Sequence, residues 1–253
     1  MLRSGFWLIV LGLLMAGAAA HAQPVVPACP ASEEVVVPDE PLEHVAAALA
    51  AGGPLNVLAI GTASTVGAPS STTHGVPPNA TFPHRMAEAL VAARPGLKVQ
   101  LSVRGARGLT AEALLPQLRQ ALKSQKYQLV IWQTGTVEAV RGERPDALLD
   151  ALEQGTDLVQ AAGADLILVD SQFSRFLRAN ADLGTYEMVL QQVAAVPGVV
   201  LFHRFDLMLD WAHSGQIDLE RTSRKDRDAT IALMNRCVGQ ALARFVLNGA
   251  GLK

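Results

Sequence analysis

The sequence has little cysteine, few aromatic residues and little charge. Of its 253 residues, 2 are cysteine, 5% are aromatic and 17% are charged, and the formal net charge is -2. Two cysteines are too few for a disulfide-rich scaffold, and no group of histidines and cysteines has metal-ligand spacing. No long block of like charge is present, which argues against a nucleic-acid partner. We therefore expect no bound metal and no other cofactor.

The first 22 residues are apolar and end in small residues. Arg3 precedes an apolar run over residues 5–20, and Ala20-His21-Ala22 offers a cleavage site, as in secretory signal peptides. The run is shorter than the roughly 20 residues of a membrane-spanning helix, and no second such run follows it. Residues 1–22 are therefore predicted to be a signal peptide. Cleavage would leave no transmembrane segment and a periplasmic or secreted protein.

The two cysteines stand near opposite ends of the remaining chain. Export would place Cys29 and Cys237 in an oxidising compartment, where thiols pair. A Cys29–Cys237 disulfide is the prediction, and two unpaired thiols are the alternative. The bond would close nearly the whole chain into one loop, which chain-entropy estimates value at roughly 4 to 5 kcal/mol.

Residues 43–253 are predicted to form one α/β domain, preceded by an extended lead-in over residues 23–42. Within the domain, apolar runs of strand length alternate with segments of helical period. The predicted strands, each with the helix that follows it, are 55–60 with 82–93, 99–103 with 110–122, 129–132 with 145–162, 166–169 with 183–193, and 199–202 with 229–247.

The strands at 129–132 and 166–169 are apolar at every position, as in strands that are buried on both faces. Helical connections between such strands imply parallel pairing with helices on both sides. The predicted fold is therefore a three-layer α/β/α sandwich with a five-stranded parallel sheet, flavodoxin-like in type.

Glycine-bearing loops follow the first three strands. They cover residues 61–67, 104–110 and 133–138, at the sheet edge where open α/β sheets bind ligands. The first loop lacks the G-x-G-x-x-G fingerprint, and no phosphate loop is recognisable. A nucleotide or flavin binder is therefore disfavoured.

With these blocks the chain resembles the SGNH/GDSL hydrolases over residues 55–247. That family has G-D-S-x-T-x-G after its first strand, a glycine loop after the second, G-x-N-D after the third and D-x-x-H before the last helix. The resemblance implies the SGNH hydrolase fold and an acyl-transfer site. There a histidine base, oriented by the aspartate, activates the serine, and backbone N–H groups and the asparagine form the oxyanion hole.

The nucleophile position of this family holds no serine here. Gly61, Thr65 and Gly67 match the first block and place Ala63 at that position, where a methyl group cannot attack an ester. Ser64 follows one residue later, with its side chain turned in another direction. It is interpreted as a helix N-cap, or alternatively as a relocated nucleophile.

The oxyanion-hole positions implied by the resemblance are altered as well. Gly135 matches the third block, but Val137 replaces the asparagine and Glu138 replaces the aspartate. Gly108 is the best retained backbone donor, and Gly61, Gly108 and Gly135 are expected to line the cleft. The loss of one side-chain donor costs about 100-fold to 1000-fold in rate.

The last block aligns in two registers, and neither supplies a histidine. The preferred register, Asp226-Arg227-Asp228-Ala229, leads into the final helix and puts Ala229 at the base position. The other, Asp218-Leu219-Glu220-Arg221, requires an insertion and puts an arginine there. Asp226 then has no imidazole to orient, and it is expected to cap the helix. His213 is considered as a relocated base, with a surface or packing role as the alternative.

These departures favour a catalytically inactive relative, because the nucleophile, the base and the side-chain donor are replaced together. Its cleft is expected to hold an acyl chain or a glycan, or its surface to dock a protein partner. The alternative is an active ester or O-acyl hydrolase that uses Ser64 with a relocated base.

Overall fold

Residues 29–68 and 75–252 are described by the structure, which is a computed structural model. The predicted signal peptide, residues 1–22, lies outside the described residues. Among the helices of the described part, none is long and apolar enough to cross a membrane.

Five parallel strands form one sheet. They are β1 Leu55–Gly61, β2 Val99–Gly105, β3 Leu129–Gln133, β4 Asp165–Val169 and β5 Val199–Phe202. Their order across the sheet is β2-β1-β3-β4-β5, and each pair of neighbours is parallel. Strands β3 and β4 are buried along their whole length, which explains their uninterrupted apolar sequence. The predicted parallel sheet is confirmed.

Helices flank the sheet on both faces. They are α1 Glu33–Val36, α2 Glu43–Ala50, α3 Ala63–Val66, α4 Phe82–Ala93, α5 Ala111–Ser124, α6 Thr136–Arg141, α7 Pro145–Ala161, α8 Arg175–Asn180, α9 Leu183–Ala194, α10 Arg204–Ser214 and α11 Arg227–Gly249, with a 3-10 turn at Pro78–Ala80. The five predicted helices correspond to α4, α5, α7, α9 and α11. Helix α10 was not predicted, because it follows β5 without a turn signal between them.

The core divides into two apolar clusters, one on each side of the sheet. Alternate strand side chains supply both: Val57 and Ile131 face one cluster, and Leu58 and Val130 face the other. Helices α4, α10 and α11 pack in the first cluster, and α5, α7 and α9 pack in the second. The three-layer α/β/α sandwich is thereby confirmed.

The predicted disulfide is present and ties the start of the described chain to α11. Cys29 and Cys237 are bonded, with their Cα atoms 5.2 Å apart. The lead-in is not wholly extended, because α1 lies within it. Val35, Val36 and Leu42 are buried in the core, so this segment folds against the domain instead of only leading into it.

Candidate functional site

Two adjoining hollows open at the carboxyl edge of the sheet, and we refer to them together as the cleft. Their volumes are about 320 Å³ and 290 Å³, within or close to the range of small-molecule sites. The residues that line both hollows are Ala63, Ser64, Arg107, Gln172 and Arg204. The cleft therefore lies at the sheet edge where an open parallel sheet binds ligands.

Ser64 is half-buried, and its hydroxyl has two side-chain partners. It donates to Oε1 of Gln133 at 3.2 Å and accepts from Nη1 of Arg204 at 3.0 Å. Gln133 is buried at the end of β3, and its Oε1 also accepts from the backbone N–H and the hydroxyl of Thr62. An amide oxygen is a very weak base and a guanidinium has no acceptor, so neither partner can take the proton of Ser64.

The helix that contains Ser64 begins two residues earlier than the N-cap interpretation requires. Helix α3 starts at Ala63, so Thr62 holds the N-cap position and Ser64 is the second helical residue. The N-cap prediction for Ser64 is therefore wrong, because its hydroxyl bonds to Gln133 and Arg204 instead of a backbone N–H. Ala63 is exposed at the cleft.

Arg204 is a buried cation at the wall of the cleft. It is the first residue of α10 and is 3% exposed, and its Nη2 donates to the backbone carbonyl of Asp170 at 2.7 Å. Its Nε is buried and has no hydrogen-bond partner among the described residues. Burial lowers the pKa of Arg204 to about 10, against the opposing charge of Asp170, so the guanidinium stays charged at neutral pH. Such a group favours an oxygen acceptor as its ligand.

The glycines at the ends of β1 and β2 allow a close approach that a side chain would prevent. A Cβ at Gly61 would lie 2.4 Å from Oγ1 of Thr65, and a Cβ at Gly105, where φ is 125°, would lie 1.9 Å from the carbonyl oxygen of Gly61. Of the three glycines expected to line the cleft, Gly108 does so in the described structure, and Gly61 and Gly135 do not. The role of Gly61 is therefore to let the chain turn tightly after β1, and not to contact a ligand in the cleft.

The buried carboxylate of Glu138 holds the loop after β3 in place through hydrogen bonds. Its oxygens accept from the backbone N–H groups of Ala111 and Gly135 at 2.6 Å and 3.0 Å, and from the hydroxyl of Thr134 at 3.2 Å. The N–H of Gly135 thus donates to a side chain of the protein itself and not to a ligand in the cleft. Val137 lines the cleft, where its isopropyl group can donate no hydrogen bond.

Asp226 and Ala229 lie exposed at the start of α11. Asp226 holds the N-cap position, but its side chain accepts from the hydroxyl of Ser223 at 2.6 Å and makes no cap hydrogen bond. The prediction that its side chain caps the helix is therefore wrong. Within the described structure neither residue lines the cleft, which α11 reaches from Ile231 onward.

Histidine is missing from the described lining of both hollows. His213 lies exposed in the last turn of α10, which agrees with the surface alternative. The described geometry therefore brings no imidazole into the cleft beside Ser64.

One wall of the cleft is apolar. Its side chains come from α4, α10 and α11 and from the loop before α11: Phe82, Met208, Leu219, Ile231, Met234 and Val238. Arg175 holds that loop, because its Nη1 and Nη2 donate to the two carboxylate oxygens of Asp218 at 3.0 Å and 2.9 Å, and its backbone N–H donates to Glu220 at 2.9 Å. These bonds to Arg175 lower the pKa of Asp218. Residues 218–221, which form the alternative register of the last block, therefore belong to a loop that Arg175 holds in place.

A second group of ionisable side chains surrounds Asp170 at the end of β4. Nδ1 of His203 lies 3.9 Å from Oδ2 of Asp170 and 3.7 Å from Oε1 of Glu187. Burial, and then the charge of Glu187, raise the pKa of Asp170 well above its usual value. Sequence spacing missed this cluster because its members come from three separate segments. The signal that could have pointed to Asp170, His203 and Arg204 is their position directly after buried parallel strands. Glu187 lies within α9 and carries no such signal.

Similar solved structures share this architecture. A catalytic mutant of Axe2, an acetylxylan esterase from Geobacillus stearothermophilus, is 15% identical with a TM-score of 0.57, over 79% of this chain and 95% of that one. TesA is 17% identical with a TM-score of 0.53, over 70% and 94%. CEX, a two-domain esterase active on acetylated mannans, is 16% identical with a TM-score of 0.59, over 82% and 54%. No curated protein matches this chain.

The fold and its neighbours define the class of protein: it has the α/β fold of the SGNH/GDSL hydrolases. The model of the Non-GDSL lipase-like family matches residues 28–252. The chain belongs to that family, and the resemblance found from the sequence is confirmed.

Proposed function

We propose that this protein is an exported, catalytically inactive member of its family that binds an acyl chain in the cleft, with the carboxylate or ester carbonyl of the ligand near Arg204. The observation that carries the proposal is the hydrogen bond from Arg204 to Ser64. That bond engages the hydroxyl of the residue that follows the nucleophile position, and Ser64 lines both hollows of the cleft.

Inactivity is supported by the lack of a proton acceptor. A serine nucleophile needs a base within hydrogen-bond reach, and the described partners of the Ser64 hydroxyl are a guanidinium and an amide. Val137 offers no donor to an oxyanion, and Gly135 gives its N–H to Glu138. Acyl transfer would therefore lack both activation of the nucleophile and part of the charge stabilisation.

The acyl class is supported by the composition of the wall. The wall consists of Phe82 and of aliphatic and methionine side chains, and the charged residues that line the same hollow are Arg107 and Arg204. This combination suits a ligand with an alkyl tail and an anionic or polar head. Sugar hydroxyls would lose water against this wall without finding partners, at a cost in free energy. The esterases Axe2 and CEX, which act on acetylated glycans, keep a glycan ligand as the second candidate.

Export is supported by the apolar segment at residues 5–20 and by the Cys29–Cys237 disulfide, because disulfides persist in oxidising compartments. Expression of the full chain in a bacterial host, followed by fractionation and mass spectrometry of the N-terminus, tests it. Release into the periplasm with cleavage after Ala22 is expected, and an intact cytoplasmic chain would contradict export.

Activity is tested with p-nitrophenyl butyrate and a fluorophosphonate probe on the purified protein and on Ser64→Ala. No turnover and no labelling are expected from either. Turnover and labelling of the unmodified protein that disappear in Ser64→Ala would overturn inactivity and favour a hydrolase with a relocated base.

Binding is tested by calorimetry with straight-chain fatty acids of increasing length. Each added methylene is expected to tighten binding by about 0.8 kcal/mol, roughly fourfold, until the cleft is filled. Met234→Lys in the wall is expected to weaken binding at least tenfold, whereas Met188→Lys, at an exposed position on α9, serves as the matched control. An affinity that does not change with the length of the fatty acid, or tight binding of xylo-oligosaccharides or manno-oligosaccharides, would contradict the acyl ligand and favour a glycan ligand.

A further inference from the structure

We propose that Asp170, Glu187 and His203 form a binding site for a divalent transition-metal ion such as zinc. This inference stands apart from the proposed function of the cleft. The three residues come from the loop after β4, from α9 and from the junction between β5 and α10. Nitrogen and carboxylate oxygen are ordinary zinc ligands.

The distances within the cluster suit one ion. The three potential ligand atoms all lie within 4.8 Å of one another. Two ligands at about 2.1 Å from a tetrahedral metal are roughly 3.4 Å apart, and Nδ1 of His203 lies 3.9 Å and 3.7 Å from the two carboxylate oxygens. Movement by a few tenths of an ångström at these contacts, with a somewhat larger approach of the carboxylates, completes the geometry.

Asp170 is buried and aimed into the cluster. Its side chain is 2% exposed, and its Oδ1 accepts from the backbone N–H of Phe205 at 2.9 Å. That bond orients the carboxylate so that Oδ2 faces His203, in the same way that hydrogen bonds to metal-binding side chains fix their orientation. Among the described residues, Oδ2 makes no hydrogen bond. Asp170 also lines the hollow beside the cluster, so this oxygen is open to a cation there.

The charges around the cluster also favour a cation. Asp206 adds a third carboxylate beside Asp170 and Glu187, and its charge acts on His203. Arg204 opposes them, but its described hydrogen bonds go to the backbone carbonyl of Asp170 and to Ser64, not to the carboxylate of Asp170. With His203 neutral, the group carries more negative than positive charge, so a divalent ion would balance it.

The cluster borders a hollow of about 290 Å³, which leaves room for a further ligand. Its lining includes Ser171 and Gln191 beside the three proposed metal ligands. A site with three protein ligands and an open position can bind a water molecule or an anionic ligand atom. The proposed site is therefore an accessible three-ligand site and not a closed structural one.

The test is calorimetric titration of the purified, chelator-treated protein with zinc chloride, using protein without a polyhistidine tag. Binding of one ion is expected. His203→Asn and Glu187→Gln are each expected to weaken it at least about 10-fold. The matched controls His213→Asn and Glu153→Gln change exposed residues of the same types outside the cluster and are expected to leave it unchanged.

Cobalt supplies an independent readout, because a Co²⁺ ion in a tetrahedral or five-coordinate site absorbs visible light more strongly than hydrated Co²⁺. The band is expected in the unmodified protein and in His213→Asn, and absent in His203→Asn. Circular dichroism and the unfolding midpoint without metal show that each variant is folded. No zinc binding by the unmodified protein, or equal binding by the folded His203→Asn variant, would refute the site and leave a simple His203 ion pair.

Discussion

The guanidinium of Arg204 donates a hydrogen bond to the hydroxyl of Ser64 across 3.0 Å. The contact joins α3, after the first strand, to α10, after the last, and spans most of the sheet. It places a cation, not a base, beside the residue that follows the nucleophile position. The chemistry of the cleft is therefore that of holding an oxygen atom.

Ala63→Ser alone is expected to leave the protein without esterase activity. The new hydroxyl would stand at the position that the family motif assigns to the nucleophile, but no histidine lines the described cleft to accept its proton. The measurement is hydrolysis of p-nitrophenyl butyrate and labelling by fluorophosphonate. Turnover that appears with this single change would reveal a base that the described geometry does not contain.

Asp170→Asn is expected to flatten the dependence of stability on pH. The pKa of Asp170 is raised in the folded state. The contribution of Asp170 to the free energy of unfolding is therefore fully present below its unfolded-state pKa of 3.8, and it is lost as the pH rises through its folded-state pKa. Asparagine keeps an oxygen acceptor for the N–H of Phe205 and has no proton to lose.

Urea unfolding of both proteins between about pH 4 and pH 7 measures this effect. The free energy of unfolding of the unmodified protein, relative to that of the variant, is expected to fall as the pH rises. Asp218 acts in the opposite direction, since its lowered pKa contributes stability that is lost only in more acidic solution. A difference between the two proteins that does not change with pH would contradict the raised pKa of Asp170.

Cys29→Ala is expected to lower the free energy of unfolding by roughly 2 to 5 kcal/mol. The bond joins residues 208 positions apart, so its removal releases almost the whole described chain in the unfolded state. Chemical unfolding in the absence of reductant gives the value. Reduction of the unmodified protein should reproduce most of the loss, and an unaffected midpoint in both experiments would argue against a stabilising role.

Gly155→Ala is expected to destabilise the protein by about 1 to 3 kcal/mol, even though alanine is the better helix former. Gly155 lies in α7 against the buried ring of Trp132, and a Cβ there would stand 2.0 Å from Cζ3 of that ring. Gly184→Ala in α9 is the control, because a Cβ there meets its nearest neighbour at 3.8 Å. It is expected to be neutral or slightly stabilising, and equal effects of the two changes would refute the packing argument.

Most of the fold could be predicted because the apolar patterns are long and distinct. The strand at 129–132 is buried on both faces, and helix α7 was placed to within one residue at its end. The one-turn helix α3 escaped prediction because its start depends on the tight turn at Gly61. The caps assigned to Ser64 and Asp226 were wrong because each hydroxyl or carboxylate found a partner other than a helical N–H.

The sequence by itself indicated the class of fold and favoured the pairing of the two cysteines, and its motif alignment predicted that the expected serine, asparagine and histidine are replaced. These properties depend on local pattern and composition. The tertiary structure alone decided that Arg204 meets Ser64 and that Asp170, Glu187 and His203 converge. Parallel strands bring their carboxyl ends to one edge, so residues far apart in the chain become neighbours there, and no spacing along the chain encodes which side chains will touch.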